Sequence, residues 1–386
     1  MSRILIVAGE ASGDLHGANL IGAANRLEID CEFFGVGGSR MTEAGCEVII
    51  PSDTLSVMGL VEVVKHFPVI YRVFRRLKRI LFSPERPDLL VLIDSPDFNL
   101  RLAKQAQRAG VPVLYYISPQ VWAWRRGRVK GIAKVVDRLA VIFPFEPAYY
   151  EGLDISVQYV GNPLIDEFAI RQPRELFRAR YGFTLEDEVV GLFPGSRQSE
   201  LDAMAATVTA TARELLARKP DCRFLLPVAP SFSIERVVEA LDAHGLPITL
   251  VQESLYDTAN ACDAVLSVSG TATLQTALTG TPLVIFYKMN RLTYLIARML
   301  IRVPFIGLAN IVAGEQVARE FIQDDANPQN LADELCRILD DAEYRESLQH
   351  GLKIVRKNLG ESGCSERVAI MVQEMCQERC GGQASL

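Results

Sequence analysis

The chain is poor in the residues that would build a metal centre, a disulfide framework or a membrane span. Among its 386 residues are four histidines and two tryptophans. Its eight cysteines, at 31, 46, 222, 262, 336, 364, 376 and 380, form no Cys-x-x-Cys pair and no Cys/His zinc spacing. They read as reduced thiols of a cytoplasmic protein, and no metal is expected. No uncharged apolar run reaches the roughly 18 residues that a spanning helix needs. The missing Gly-x-x-x-x-Gly-Lys-Ser/Thr excludes a P-loop ATPase. Met1-Ser2-Arg3 leads straight into a buried-strand pattern, so no signal peptide is expected. The 27 glycines and 19 prolines are dispersed, which excludes collagen-like and low-complexity classes.

What is present is an ordinary globular composition, 49% apolar and 23% charged, in a chain long enough for two domains. Short apolar runs alternate with helical patterns, as parallel sheets with crossover helices require. In the first half the strand candidates are Ile4–Ala8, Glu32–Val36, Leu89–Ile93, Val113–Ile117 and Leu139–Phe143. In the second they are Val189–Phe193, Arg223–Val228, Ile248–Val251, Ala264–Val268 and Leu283–Tyr287. The turn-rich stretch from Gly161-Asn162-Pro163 to Gln172-Pro173 suits a linker. The expected division is a first domain over 1–165, a second over 174–340 and a helical segment over 341–386. Each half opens with a strand, a glycine turn and a helix, so the fold class is α/β with two Rossmann-like domains facing a central cleft.

The second-half turn Pro194-Gly195-Ser196-Arg197 places a hydroxyl, backbone N–H groups and a guanidinium at a helix start, the parts of an anion site. A second such turn, Ser269-Gly270-Thr271-Ala272-Thr273-Leu274-Gln275, follows the strand Ala264–Val268, and the pair suits a diphosphate. The plainer reading makes both turns simple caps. In the first half, Asp94 and Asp97 end the strand Leu89–Ile93. Asp94 is a candidate general base, whereas Asp97 reads as a helix cap. Glu10, Ser12, Asp14 and His16 share the first glycine turn. Ser118-Pro119-Gln120-Val121-Trp122-Ala123-Trp124-Arg125-Arg126 holds both tryptophans beside basic residues, suited to stacking on a sugar, to a lipid interface or to anchoring a loop.

The net charge of −6 hides a basic block. Residues 57–138 carry 16 Lys and Arg against 6 acids. Within 57–82, Arg75, Arg76 and Arg79 lie on a helical pattern with apolar positions at 60, 63, 64, 67, 70, 71, 74, 77 and 81, where Pro68 is expected to kink or interrupt the helix. Residues 288–302 repeat the pattern more briefly. Such helices pack on their own sheet or lie in the headgroup region of an anionic membrane, and two of them favour the membrane surface.

Gly9-Glu10-Ala11-Ser12-Gly13-Asp14, Ile93-Asp94-Ser95-Pro96-Asp97-Phe98-Asn99, Ser118 to Trp124, Pro194 to Arg197 and Ser269 to Thr273 together resemble the lipid-A-disaccharide synthase family. Leu308-Ala309-Asn310-Ile311-Val312-Ala313-Gly314 is similar to that family's late segment. The resemblance implies a GT-B glycosyltransferase that moves 2,3-diacylglucosamine from UDP to 2,3-diacylglucosamine 1-phosphate, with inversion and without a cofactor. It implies catalysis by Asp94, Glu10 or Asp14, and nucleotide-sugar binding by Ser196, Arg197, Ser269, Gly270, Thr271, Thr273, Gln275 and Asn310. Ser12, Trp122, Trp124, Arg75, Arg76 and Arg79 would meet the acceptor or the membrane. Related enzymes place a ribose-binding Glu where Gln275 stands; an amide can accept one hydrogen bond there without charge. The implied partners are the two lipid sugars and an anionic membrane surface, not nucleic acid, with a homo-oligomer left open. The location would be the cytoplasmic side of the inner membrane of a Gram-negative-type bacterium. A UDP-sugar epimerase of the same fold, or a non-catalytic nucleotide-binding membrane protein, stands as the alternative.

Overall fold

A computed structural model describes residues 1–55, 60–123, 126–300 and 303–383. Trp124, Arg125 and Arg302 lie outside the described residues. So do the side chains of Arg126, of the apolar positions 60, 63, 64 and 67, and of 292, 296 and 300. The chain forms two compact units, one of residues 1–166 with 361–386, the other of 167–360.

The first unit holds a seven-stranded sheet. Its strands are β1 (Ser2–Ala8), β2 (Cys31–Gly37), β3 (Glu47–Pro51), β4 (Leu89–Ile93), β5 (Val113–Tyr116), β6 (Arg138–Val141) and β7 (Ser156–Tyr159). They pair in the order β3-β2-β1-β4-β5-β6-β7, every pair parallel. The central strands read as unbroken apolar runs because both faces of the sheet are covered. Successive residues of β1 point to opposite faces. Ile4, Ile6 and Ala8 join one core with the helix Ala11–Arg26, and Leu5 and Val7 join the other with the helices Leu60–Leu81 and Pro96–Arg108. Edge strands β3 and β7 are partly exposed, with an apolar run of only three residues in β3 and none in β7, and the sequence reading passed over both.

The helix Leu60–Leu81 runs through Pro68 without the expected interruption. Val73, Leu77 and Leu81 are buried against the sheet, and Phe74 meets Phe98 edge-on with ring centres 5.9 Å apart. Much of the apolar stripe in the described half of this helix is therefore spent inside the unit.

The second unit holds a six-stranded parallel sheet of β8 (Val189–Phe193), β9 (Arg223–Pro227), β10 (Ile248–Val251), β11 (Ala264–Val268), β12 (Leu283–Tyr287) and β13 (Glu320–Ile322), in the order β10-β9-β8-β11-β12-β13. The expected C-terminal segment is divided between the units. The helix Ala342–Asn358 stays with the second unit, whereas Cys364–Gln383 belongs to the first. Its buried Cys364, Val368, Met371, Val372 and Met375 recur at helical spacing and close the β1 face that carries Ile4 and Ile6. Each such apolar side chain contributes roughly 1.5–3 kcal/mol of burial. Arg138 adds ion pairs from the sheet to Glu374 and Glu378 on that helix.

Candidate functional site

In both sheets the strand order reverses once, between β1 and β4 and between β8 and β11. Open parallel sheets bind ligands outside the carboxyl ends of the strands at such a switch point. The glycine turns singled out from sequence lie there, after β1, β8 and β11, and Asp94 directly follows β4.

In the first unit, the pairing of Ala8 with Ile93 sets the Gly9 turn beside Asp94-Ser95. A Cβ on Gly9 would lie 3.0 Å from the Ser95 hydroxyl, and one on Gly13 would lie 3.3 Å from the Ala8 side chain, so both glycines allow close approach. Glu10 is the half-buried N-cap of the helix Ala11–Arg26, and Ser12 is exposed in its first turn. Asp14 is not placed as a catalytic group. Its buried carboxylate accepts the amides of Gly38 (2.6 Å), Arg40 (3.2 Å) and Met41 (3.2 Å), and so caps the short helix Ser39–Glu43. Burial pushes His16 down to about 4, which leaves it neutral at physiological pH.

Asp94 and Ser95 have φ of 47° and 44°, and Ile117, after β5, has φ of 67°. For a β-branched side chain that conformation is a genuine outlier, and such strain gathers where a site needs it. The Asp94 carbonyl accepts the Tyr115 hydroxyl at 2.5 Å and the Asn99 amide at 2.8 Å, which hold the strained turn. Burial first, then the Asp94 charge, pushes the Tyr115 phenol well above its ordinary value, so it remains a donor. Asp94, Ile117, Ser118, Gln120 and Arg128 line a cavity of about 260 Å³ at the carboxyl ends of β4 to β6. Asp97 is not the helix cap. Ser95 holds that position, and Asp97 pairs with Arg128 at 2.7 Å.

Trp122 is 2% exposed and packs edge-on against Phe143 and Phe145, so it anchors the loop from within and is not free to meet acceptor or membrane. Under that loop, Glu146 is almost wholly buried and accepts the amides of Ile142 (3.0 Å) and Phe143 (2.9 Å). Burial pushes its carboxyl up to about 7, against the opposing pull of those two amides. Arg75 and Arg79 are exposed on the helix Leu60–Leu81, and Arg76, also exposed, donates to the Ile49 carbonyl at 3.1 Å.

In the second unit, the amides of Ser196 and Arg197 already have an anion. Glu200 Oε2 accepts them at 3.1 and 3.3 Å, and its Oε1 pairs with the Arg197 guanidinium at 3.0 Å. Gly195 has φ of 108°, and a Cβ there would lie 2.5 Å from Glu200. What the turn offers a ligand is the Arg197 side chain, 57% exposed. Burial, then the Glu200 charge, raises the Tyr287 phenol while Arg197 lowers it, which locates both groups near the end of β12, the neighbour of β11. The helix Thr271–Thr279 begins at Gly270 with no side-chain cap, and its dipole and first amides suit a negative charge. Thr271 is exposed, whereas Ser269 and Thr273 donate to the carbonyls of Ile306 (2.7 Å) and Gly270 (2.8 Å).

Two further residues expected at the nucleotide have partners within the fold. Asn310 is fully buried, accepts the amides of Val317 and Ala318, and donates to the Ala318 carbonyl and Glu320; all four of its bonds are spent on the fold. Gln275 is hydrogen-bonded to the Tyr256 phenol. Sequence reasoning missed Arg128, Glu146 and Glu200. None of them carries a sequence signature: Glu200 stands three residues after Arg197, but Arg has no acceptor and cannot complete a capping box.

Two Rossmann-like units, with anion-suited groups at one switch point and a carboxylate on a strained turn at the other, define a protein of the GT-B fold class. The fold likeness extends to solved structures, including the calicheamicin glycosyltransferase CalG4 (TM-score 0.60, 15% identity, covering 97% of this chain and 98% of that one). It extends also to a UDP-GlcNAc 2-epimerase from Neisseria meningitidis bound to UDP-GlcNAc (TM-score 0.59, 13% identity, 92% and 99% covered). At those identities the likeness concerns fold alone, and it spans transferases and epimerases alike. Sequence separates them. Residues 4–374 match the model of the lipid-A-disaccharide synthetase family. The lipid-A-disaccharide synthase of Syntrophotalea carbinolica is 59% identical over 376 residues, 97% of this chain and 96% of that protein. The same-named protein of Geobacter sulfurreducens is 50% identical over 373 residues, 97% of each. The chain belongs to the lipid-A-disaccharide synthetase family, and it is a glycosyltransferase.

Proposed function

We propose that the enzyme transfers 2,3-diacylglucosamine from UDP to the 6-hydroxyl of 2,3-diacylglucosamine 1-phosphate, releasing UDP and the β(1→6) disaccharide. An α-linked donor giving a β product requires in-line displacement with inversion, so one base suffices. Asp94 takes the hydroxyl proton as the bond to the sugar forms, and Glu10, across the same switch point, is the second candidate. The departing diphosphate is stabilised by Arg197 and by the uncapped helix start at Gly270-Thr271. For that contact the guanidinium exchanges Glu200 for phosphate oxygens, while Glu200 keeps the Ser196 and Arg197 amides in place.

The observation that carries the reading is the strained Asp94 turn, lining a sugar-sized cavity beside the Gly9 turn. Asp94→Asn preserves size and removes basicity, and the expected loss of turnover is roughly 10²–10⁴-fold, with UDP affinity unchanged. It is measured as UDP release in the presence of both lipid sugars. Near-normal release would move the base to Glu10.

The acyl chains of both substrates call for a membrane surface, which we place at the cytoplasmic face of the inner membrane. Among the described residues no helix is long and apolar enough to cross a membrane. The exposed row of Arg72, Arg75, Arg76 and Arg79, flanked by exposed Tyr71 and Phe82, suits anionic headgroups. Changing Arg75, Arg76 and Arg79 to Ser is expected to weaken co-sedimentation with anionic vesicles, at about 1 kcal/mol per charge, while UDP binding persists. Binding indifferent to salt and to lipid charge would refute the surface.

A further inference from the structure

We propose that Arg128 holds the anionic group of the acceptor and makes the first unit select a phosphorylated sugar. This rests on the transfer reaction proposed above and names a residue for its acceptor side. At about 260 Å³ the cavity falls just below the usual range of ligand sites, roughly 300–1,000 Å³, so it suits one sugar ring better than a nucleotide-sugar. Two of its lining residues carry formal charge, Asp94 and Arg128.

Those two charges give the cavity a direction. A sugar that presents a hydroxyl to Asp94 and also bears a phosphate must keep the phosphate away from that carboxylate, because like charges in a partly buried site repel. Arg128 is the cation among the described residues that line the cavity, and its fork of donors matches phosphate oxygens two at a time.

The guanidinium is also easily released. Its partner is Asp97, whose side chain is 78% exposed, whereas Arg128 itself is 28% exposed. An ion pair with one partner so well solvated adds little to stability. An entering phosphate can therefore displace Asp97 at small cost and offer more acceptor oxygens than the carboxylate did. Asp97 then acts as a placeholder that keeps Arg128 aligned along the cavity wall.

The test compares two acceptors with one donor, by UDP release: 2,3-diacylglucosamine 1-phosphate and the same lipid sugar without its phosphate. The wild-type enzyme is expected to favour the phosphorylated acceptor in kcat/KM. Arg128→Ala should lower kcat/KM for that acceptor by roughly 10–150-fold, the range for a lost charge-assisted contact. It should leave the unphosphorylated acceptor within about threefold, so that the preference collapses. Arg128→Lys should recover part of it. Because the preference is a ratio within one preparation, a smaller folded fraction scales both rates alike and does not imitate the effect. Asp97→Asn should retain the preference. Equal losses on both acceptors in Arg128→Ala, or the same collapse in Asp97→Asn, would overturn the assignment. Equal wild-type kcat/KM on the two acceptors would overturn this proposal alone. A wild-type enzyme that releases UDP with neither would overturn the transfer reaction and this proposal with it.

Discussion

Glu146 ties the floor of the first-unit cavity to a single proton. Its carboxyl, pushed up to about 7 by burial, binds the amides of Ile142 and Phe143, two residues of the cavity wall. In the unfolded chain the same group titrates near 4.5. Between those values the folded protein holds a proton that the unfolded chain has lost. The resulting stability is complete below about pH 4.5, declines as pH rises, and is gone above about pH 7. At roughly 1.4 kcal/mol per pKa unit, the raised carboxyl accounts for about 3 kcal/mol across that window. Glu146→Gln keeps a carbonyl oxygen for the two amides and removes the titration. The variant should therefore gain about 3 kcal/mol on the wild type between pH 5 and pH 8. Both tryptophans of the chain fall within residues 1–166, the stretch that belongs to the first unit, so urea unfolding followed by tryptophan emission reports on this unit. Using the difference between the two proteins cancels every other group that titrates. A gap that stays constant from pH 5 to pH 8 would show that Glu146 ionises at an ordinary carboxylate pH, and would refute the reasoning.

Two further outcomes follow from the same kind of accounting. Arg197→Ala should weaken UDP binding by roughly 10–150-fold in calorimetry, since the guanidinium is the turn's exposed contribution to an anion; unchanged affinity would remove it from the site. Asp14→Ala should cost about 1–3 kcal/mol of stability by leaving backbone amides at Gly38 to Met41 without their acceptor, while the folded variant retains its rate per molecule; a loss of turnover without loss of stability would return Asp14 to the chemistry.

The readings that held rest on local patterns. β4, β8, β11 and β12 were placed to the residue because a strand covered on both faces must be an apolar run, and its ends are marked by turn residues; the edge strand β10 was placed as well, by its run Ile248-Thr249-Leu250-Val251. The glycine turns were legible from the strand–turn–helix pattern; Gly195 stands where a side chain would strike Glu200, five residues on, whereas the neighbour that Gly9 spares, Ser95, comes from the pairing of β1 with β4. Partly exposed edge strands such as β7, with Ser156 to Tyr159 alternating in exposure, carry too little apolar signal to stand out.

What a polar side chain does was another matter, since that depends on which partners the fold delivers. Asp14 and Asp94 look alike in sequence, each at a turn after a strand. Asp14 meets backbone amides 24 to 27 residues away and becomes a cap, whereas Asp94 lines a cavity. Asn310 is consumed by Val317, Ala318 and Glu320, and Trp122 by two phenylalanines. The helix Cys364–Gln383 has an apolar stripe that any sheet could accept, yet it closes the face of β1, some 360 residues earlier in the chain. Periodicity and turn chemistry act over a few residues, so the sequence by itself determined the strands, the glycine turns and the family. Burial and hydrogen bonding act between segments that only the folded chain brings together, and they decided which of those residues cap a helix or fill a core and which line a cavity.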